Sequence, residues 1–504
     1  MYYGSHVTSL QSRRSSGVLL HPTSLPGPFA VGDLGQEARA FIDFLAAAGQ
    51  TLWQVLPLGP IGLGNSPYQS CSAFAGNTLL IDPRQLVVDG LLDANHLRSQ
   101  DSPEDYVDYE AAATFKARLL DEAYENFKQQ PARPIRDQFE SFCKQASWRL
   151  DDYALYQSLK NVNGDGDWST WDKDIAFREP RALADAAKEL HDHIEAQKFF
   201  QFLFFRQWQS LREYALQRAV RIIGDLPIFV AYDSADVWTH REYFQLDETG
   251  KPTAVAGVPP DYFSETGQLW GNPLYDWRRM REDGFRWWID RLRWLLTLYD
   301  YIRVDHFRGF AACWEIPAGA PTAVIGRWAE TPGREMFAAL QKTLGDLPII
   351  AENLGIITPD VESLREEFGF PGMRVLQFAF GGDEASEHLP QNYTRDTVVY
   401  TGTHDNDTSC GWFANLSEGE RDRCLHQLAS DGREINWDMI RAALSSVADT
   451  AIIPVQDLLG LGSEARMNLP ASETGNWKWR LKPEALSDGL AGRLHNLTEL
   501  SGRT

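Results

Sequence analysis

Eight short β-branched or apolar runs, each bounded by turn residues, limit what this chain can fold into. They are "GVLLHP" (17–22), "TLWQVLPL" (51–58), "RIIGDLPIFV" (221–230), "DYIRVDHF" (300–307), "LPIIAEN" (347–353), "MRVLQFAF" (373–380), "TVVYTGTHD" (397–405) and "TAIIPVQDLL" (450–459). Their length and composition predict strands. Helical patterns lie between them at 36–48, 281–298, 334–344 and 359–368; the last opens with "TPDVESLREE", placing Pro359 in a first turn followed by acids. Eight strands alternating with helices is the count of an α/β fold of the (β/α)8 barrel type. An open doubly wound sheet with extra strands is the alternative.

The spacing of the runs is uneven. Residues 59–220 separate the second from the third, and most of them are helical in pattern, as in "AAATFKARLLDEAYENFKQQ" and "RDQFESFCKQASWRLDDYALYQSLK". The reading is a helical insertion over about 85–190 on one rim. The helix at about 192–219, apolar nearly all round through "KFFQFLFFRQW", is expected between insertion and barrel. A second excursion, 231–280, contains "GVPPDYFSETGQLWGNPLYDW" (257–277), the Gly/Pro-punctuated aromatic composition of an ordered loop over a site. Residues 1–15 are expected as a flexible lead and 16–504 as one barrel domain. About 45 residues follow the eighth run, too few for a C-terminal β-sandwich.

A formal charge of −22 disfavours nucleic-acid or anionic-membrane partners, which need a basic footprint. It suits a neutral substrate. No apolar stretch approaches a bilayer span, and no apolar segment follows the early arginines, so a secretory signal is not expected. The five cysteines (71, 143, 313, 410, 424) form no CxxC pair, which favours reduced thiols in a cytoplasmic setting. The 17 tryptophans leave room for flat platforms against the apolar faces of sugars, beyond what a core needs.

Five of the eight runs end in polar or ionisable groups: Asp225; Arg303, Asp305 and His306; Glu352 and Asn353; His404 and Asp405; Gln456 and Asp457. In a barrel all strand C-termini meet on the face where active sites sit, so Asp305, Glu352 and Asp405 converge. Three carboxylates in one pocket are costly unless chemistry uses them. Each alone reads as a strand-end cap; three together read as a site. Arg303, two residues before Asp305, points to the same side of its strand and would keep Asp305 ionised. Glu352 has no such neighbour in its run, and apolar surroundings would raise its pKa. One ionised nucleophile beside one protonated acid is the pattern of a retaining glycosidase. A metal centre is the rival use of three carboxylates, but these runs lack a closely spaced His pair.

Other signals are weaker. "GPIGLG" (59–64) is not in dinucleotide-binding order, and "HDH" (191–193) reads as a solvated helix start. "ARMNLPA" (465–471) and "GNWKWRL" (475–481) are unusual for a surface tail and read as rim contacts or as packing of the last helix.

The segments "RVDHFRGF" (303–310), "IIAENLG" (349–355) and "GTHDNDT" (402–408) resemble those of the 4-α-glucanotransferases, or amylomaltases, within the α-amylase clan. The resemblance extends through "HPTSLPGPFAVGDLG", "SPYQSCSAFAGN", "GDLPIFVAYDSADVW", "GVPPDYFSETGQLWGNPLYDW", "ARMNLPA" and "GNWKWRL", from about residue 16 to 482. It implies Asp305 as nucleophile, Glu352 as general acid/base and Asp405 as stabiliser of a distorted sugar. It further implies that Arg303, His404 and Tyr68 line the subsite of the attached glucose, and that Asp225 is the family's early barrel aspartate. His306, Gln268, Trp270 and Asn476 would hold the acceptor or leaving-group side, with Tyr262 and Phe263 on a covering loop. Cys313 stands where a tyrosine is expected. The implied substrates are α-1,4-glucans, with no metal and no organic cofactor; a hydrolase of the same clan or an inert glucan-binding protein are the alternatives. The oligomeric state stays open.

Overall fold

The computed structural model describes residues 14–97, 103–129, 133–164, 166–260, 264–383, 385–470, 472 and 474–504. All eight runs become parallel strands: β1 (Ser15–Leu19), β2 (Leu52–Gln54), β3 (Arg221–Leu226), β6 (Tyr301–Val304), β9 (Ile349–Ala351), β10 (Gly372–Val375), β11 (Thr397–Tyr400) and β12 (Thr450–Pro454). They close in the order β1-β12-β11-β10-β9-β6-β3-β2, each strand next to its sequence neighbour in the barrel and β12 returning to β1. Helices surround it, so the strands are covered on both faces and carry apolar residues at nearly every position. The open doubly wound alternative is thereby excluded.

Alternate residues sort into two apolar clusters, as the two-residue period of a strand demands. Leu19, Leu52, Ile223, Tyr301, Ile350, Met373, Val398, Tyr400 and Ile452 pack together inside the barrel. Their neighbours Val18, Trp53, Ile222, Ile302, Ile349, Val399, Ala451 and Ile453 pack outward with the helices. Asp225 and Arg303 share the inward parity of Ile223 and Tyr301 and are paired in register across β3 and β6. Parity alone therefore aims both into the barrel mouth. Gly224, one residue out of phase, lets β3 lie against the Tyr299 ring, where a Cβ would come within 2.2 Å of the ring.

The excursion between β2 and β3 holds helices Tyr109–Gln129, Arg133–Asn163 and Pro180–Glu189. The next helix, His191–Gln217, is buried along Phe199–Phe205, its Phe199 ring stacked on Phe127 at 4.4 Å. Two polar residues on this buried face are paired: the carboxamides of Gln201 and Gln207 each clip both the N–H and the C=O of one backbone residue, Gly76 and Asp82. The stretch 281–298 divides into helices Trp277–Glu282 and Arg286–Leu298, because Gly284 and Phe285 adopt left-handed conformations between them.

The excursion 231–280 carries more regular structure than its composition suggests. It supplies β4 (Ala254–Val258) and β5 (Gln268–Pro273), which join β7 (Ala312–Pro317) and β8 (Arg327–Glu330) in an antiparallel sheet of order β5-β4-β7-β8. These strands are Gly-containing, short or solvent-facing, so no apolar run announces them. Cys313 lies buried on β7. Among the described residues no helix is long and apolar enough to cross a membrane.

Candidate active site

Arg303 is the centre of the barrel mouth. It is 3% exposed, and its Nη1 donates to both carboxylate oxygens of the buried Asp225, at 2.9 and 2.7 Å. Its Nη2 lies 2.9 Å from Oδ1 of Asp305. The Tyr68 hydroxyl donates to Asp225 Oδ2 at 2.9 Å. Burial and the neighbouring Asp225 push the Tyr68 phenol far up, so it stays a donor. One guanidinium is thus shared between two acids, and Asp225 takes two of its three short contacts.

Beyond Val304 the chain leaves β6 through Asp305 and turns at His306, whose φ of 52° is left-handed. Such a conformation costs a non-glycine residue about 1–2 kcal/mol. It aims the His306 N–H at Glu352 Oε2, 2.7 Å away, while the Leu354 N–H reaches Oε1 at 2.7 Å. Val304 and Ala351 are register partners on β6 and β9, so Asp305 and Glu352 each stand one step past a paired position.

Both acids are harder to ionise than in water. Burial raises Asp305 to about 8; Arg303 opposes, and Asp225, Glu352 and Asp405 add to the rise. Burial also raises Glu352, against Arg303 and the two N–H donors. The sequence reading expected Arg303 to hold Asp305 ionised with only Glu352 raised. In the structure Arg303 is shared with Asp225, and burial outweighs its opposing charge at both acids, which interact and titrate together.

Asp405 follows β11 in the loop of His404. His404 Nε2 lies 3.3 Å from Asp405 Oδ2, and Asn468 Nδ2 donates to Asp405 Oδ1 at 2.6 Å. The His404 ring stacks on Tyr68 at 5.2 Å, and Trp477 packs against both rings at 5.7 and 5.9 Å. Burial lowers the His404 pKa, keeping it neutral. On the opposite side Trp270, on β5, meets the His306 ring edge-on at 4.8 Å, and its Nε1 donates to Gln268 Oε1 at 3.2 Å. His306 Nε2 is buried with no hydrogen-bond partner among the described residues.

The fold therefore gathers Tyr68, Asp225, Arg303, Asp305, His306, Glu352, His404 and Asp405, with Gln268 and Trp270 beside them. The Asn476 carboxamide accepts from Leu469 N at 2.9 Å and donates to Ser472 O at 2.8 Å. Tyr262 and Phe263 lie outside the described residues. Asp457 turns away from the mouth: fully buried, it accepts from Thr401 Oγ1 and from Ser409 N and Oγ, which ties down the 401–409 loop. Trp477, Asn468 and Arg466 went unassigned from sequence, although the flagged segments "ARMNLPA" and "GNWKWRL" contain all three. No group of three or more His, Cys, Asp or Glu among the described residues is arranged to hold a metal ion.

A closed (β/α)8 barrel with acids from several strands around one rim arginine defines a barrel enzyme of the class that works on glycosidic bonds. A family model described as 4-alpha-glucanotransferase matches residues 20–487. A 4-alpha-glucanotransferase of Synechocystis sp. is 52% identical over 497 residues, covering 97% of this chain and 98% of the relative. That of Thermus thermophilus is 50% identical, covering 97% and 99%. The amylomaltase from Streptococcus agalactiae, solved in complex with acarbose, superposes with a TM-score of 0.95 at 40% identity, covering 97% of this chain and all of that one. The chain belongs to the 4-alpha-glucanotransferase family, enzymes that transfer glycosyl groups.

Proposed function

We propose that the barrel mouth transfers α-1,4-glucan segments by double displacement with retention, through a covalent β-glucosyl ester on Asp305. The observation that carries this reading is the placement of Asp305 and Glu352 one step beyond register partners on adjacent strands, each held by its own donors. Adjacent strands lie about 4.8 Å apart, close to the roughly 5 Å carboxyl separation of retaining sites.

In the first step an Asp305 oxygen attacks the anomeric carbon, the glycosidic C–O bond breaks, and Glu352 gives its proton to the departing 4-oxygen. In the second, the 4-hydroxyl of an acceptor glucan attacks the anomeric carbon of the glucosyl ester, its proton passes to Glu352, the bond from that carbon to the Asp305 oxygen breaks, and Asp305 leaves as a carboxylate. Bonds and protons balance without an external oxidant or reductant. Asp405 and His404 would hold ring hydroxyls of the reacting glucose, while Arg303, with Asp225 and Tyr68, orients Asp305. Trp270, Gln268 and His306 would supply the acceptor side, together with Tyr262, Phe263 and Asn476. Transfer outruns hydrolysis only if bound acceptor is presented at high effective concentration, and the aromatic segment 257–277 is suited to that task. All five cysteines are free, which suits a reducing cytoplasm.

Incubation with maltotriose is the test. Transfer yields glucose and longer chains with the total of reducing ends constant. A rise in reducing ends identifies a hydrolase instead, and no turnover identifies a binding protein.

A further inference from the structure

Arg466 and Asn468 grip Asp405 from outside its own loop. Asn468 Nδ2 donates to Asp405 Oδ1 at 2.6 Å, and Arg466 Nη2 donates to the Asp405 carbonyl at 2.6 Å. Arg466 Nε in turn donates to the Asn468 carbonyl at 2.8 Å, and the Asn468 N–H donates to the His404 carbonyl at 3.1 Å. Side chain and main chain of the His404–Asp405 dipeptide are therefore both held by two residues of one strap. Trp477 N donates to Met467 O at 2.8 Å and its indole lies against Tyr68 and His404, so the stretch that carries Arg466 and Asn468 is tied to the site a second time.

The contact to Asp405 is specific in direction. One carboxylate oxygen faces His404 Nε2 and the other faces Asn468 Nδ2, so rotation of the carboxylate about its own axis breaks one or both contacts. An asparagine serving only to pin the strap has backbone carbonyls within the segment to bond, as Asn476 does. Asn468 instead directs its amide to the acid at the mouth.

We propose that Asn468, braced by Arg466, is the positioning residue of Asp405 and fixes the carboxylate in the orientation that turnover requires. The proposal rests on the reading that Asp405 acts in turnover. It predicts that loss of the amide slows the chemical steps while leaving ground-state binding nearly intact, because misorientation of a reacting group is felt chiefly at the transition state.

The test is a double-mutant cycle of wild type, Asn468→Leu, Asp405→Asn and the double variant, run with maltotriose and with an α-maltosyl fluoride donor that keeps slow variants measurable. Asn468→Leu is expected to lower kcat about 10- to 100-fold, with KM changed less than about threefold. In the Asp405→Asn background it should have almost no further effect, since it acts through that carboxylate. Asn468→Asp gives a second readout: its new carboxylate faces Asp405, so the defect should deepen as pH rises and ease as pH falls, whereas that of Asn468→Leu should not vary with pH. Wild-type kcat in Asn468→Leu, or an equal loss in both backgrounds, overturns the proposal. Full activity of Asp405→Asn overturns the underlying reading instead.

Discussion

Two clusters of charge sit on this barrel, one largely buried and one half-buried at the mouth, and they are built on opposite principles. Behind the loop after β1, Lys116 is 1% exposed and donates to Asp33 at 3.1 Å and to the Ile81 carbonyl at 2.5 Å. Arg84 beside it bonds Asp82 at 2.8 Å and Glu37 at 2.8 and 2.5 Å, and reaches Asp33 at 3.4 Å. Arg480 adds a nearby positive charge. Acids and cations roughly balance there, and the cluster fastens the helix Tyr109–Gln129 of the insertion to the barrel. At the mouth, Asp225, Asp305 and Glu352 face Arg303, and Asp405 has only Arg466 at its backbone, so acids outnumber cations. Compensated burial of charge holds two parts of a fold together; at the mouth the excess of acids leaves Asp305 and Glu352 harder to ionise.

That contrast can be broken most decisively at Asp305. Asp305→Asn should lower kcat/KM by about 10⁴-fold or more, as loss of a nucleophile does. Its thermal midpoint should hold or rise, because a half-buried acid that is hard to ionise gives way to a neutral amide. A clear fall in midpoint would make Asp305 a structural residue. Lys116→Met should do the reverse. It leaves Asp33 buried without its nearest cation, and breaking such a pair costs about 3–5 kcal/mol, readable as a shift in urea midpoint. Turnover under native conditions should stay within about twofold, and a large loss of kcat at full folding would join the two clusters functionally.

The pH behaviour sharpens the comparison. Burial raises Asp33 to about 6, ahead of the opposing effect of Lys116. A raised folded pKa means the folded state binds more protons between about 4 and 6. The stability Asp33 contributes is therefore present below about 4 and lost as pH rises through about 6. The Lys116→Met penalty should accordingly shrink on acidification, when Asp33 needs no cation. At the mouth both coupled acids are raised, so kcat/KM should follow a bell displaced upward from ordinary carboxylate values. Glu352→Gln, assayed with a fluoride donor that needs no general acid, should remove the alkaline limb. An unchanged bell would assign that limb to another group.

Smaller effects are expected at the edge of the site. Tyr68→Phe deletes the 2.9 Å bond to Asp225 and should cost about tenfold in kcat. Treatment with EDTA should leave the rate unchanged; inactivation reversed by added calcium would require a metal site.

The barrel was legible in the sequence because strands covered on both faces must be apolar throughout, and such runs stand out. The antiparallel sheet was not: "AVAGV" and "RWAE" are short and partly solvent-facing, and only the pairing of β4 with β7, about 60 residues on, joins their two hairpins into one sheet. The acids were legible because barrel closure sends every strand end to one rim. Asp457 shows the limit of that rule, since a strand-end acid can equally serve as an internal cap.

By itself, then, the sequence determined the eight strands and the family of acids at their ends, since both follow from local composition and a two-residue period. Only the tertiary structure decided how Arg303 divides its charge between Asp225 and Asp305, and which residue orients Asp405. Those outcomes depend on contacts between segments up to 78 positions apart, whose geometry no local pattern encodes.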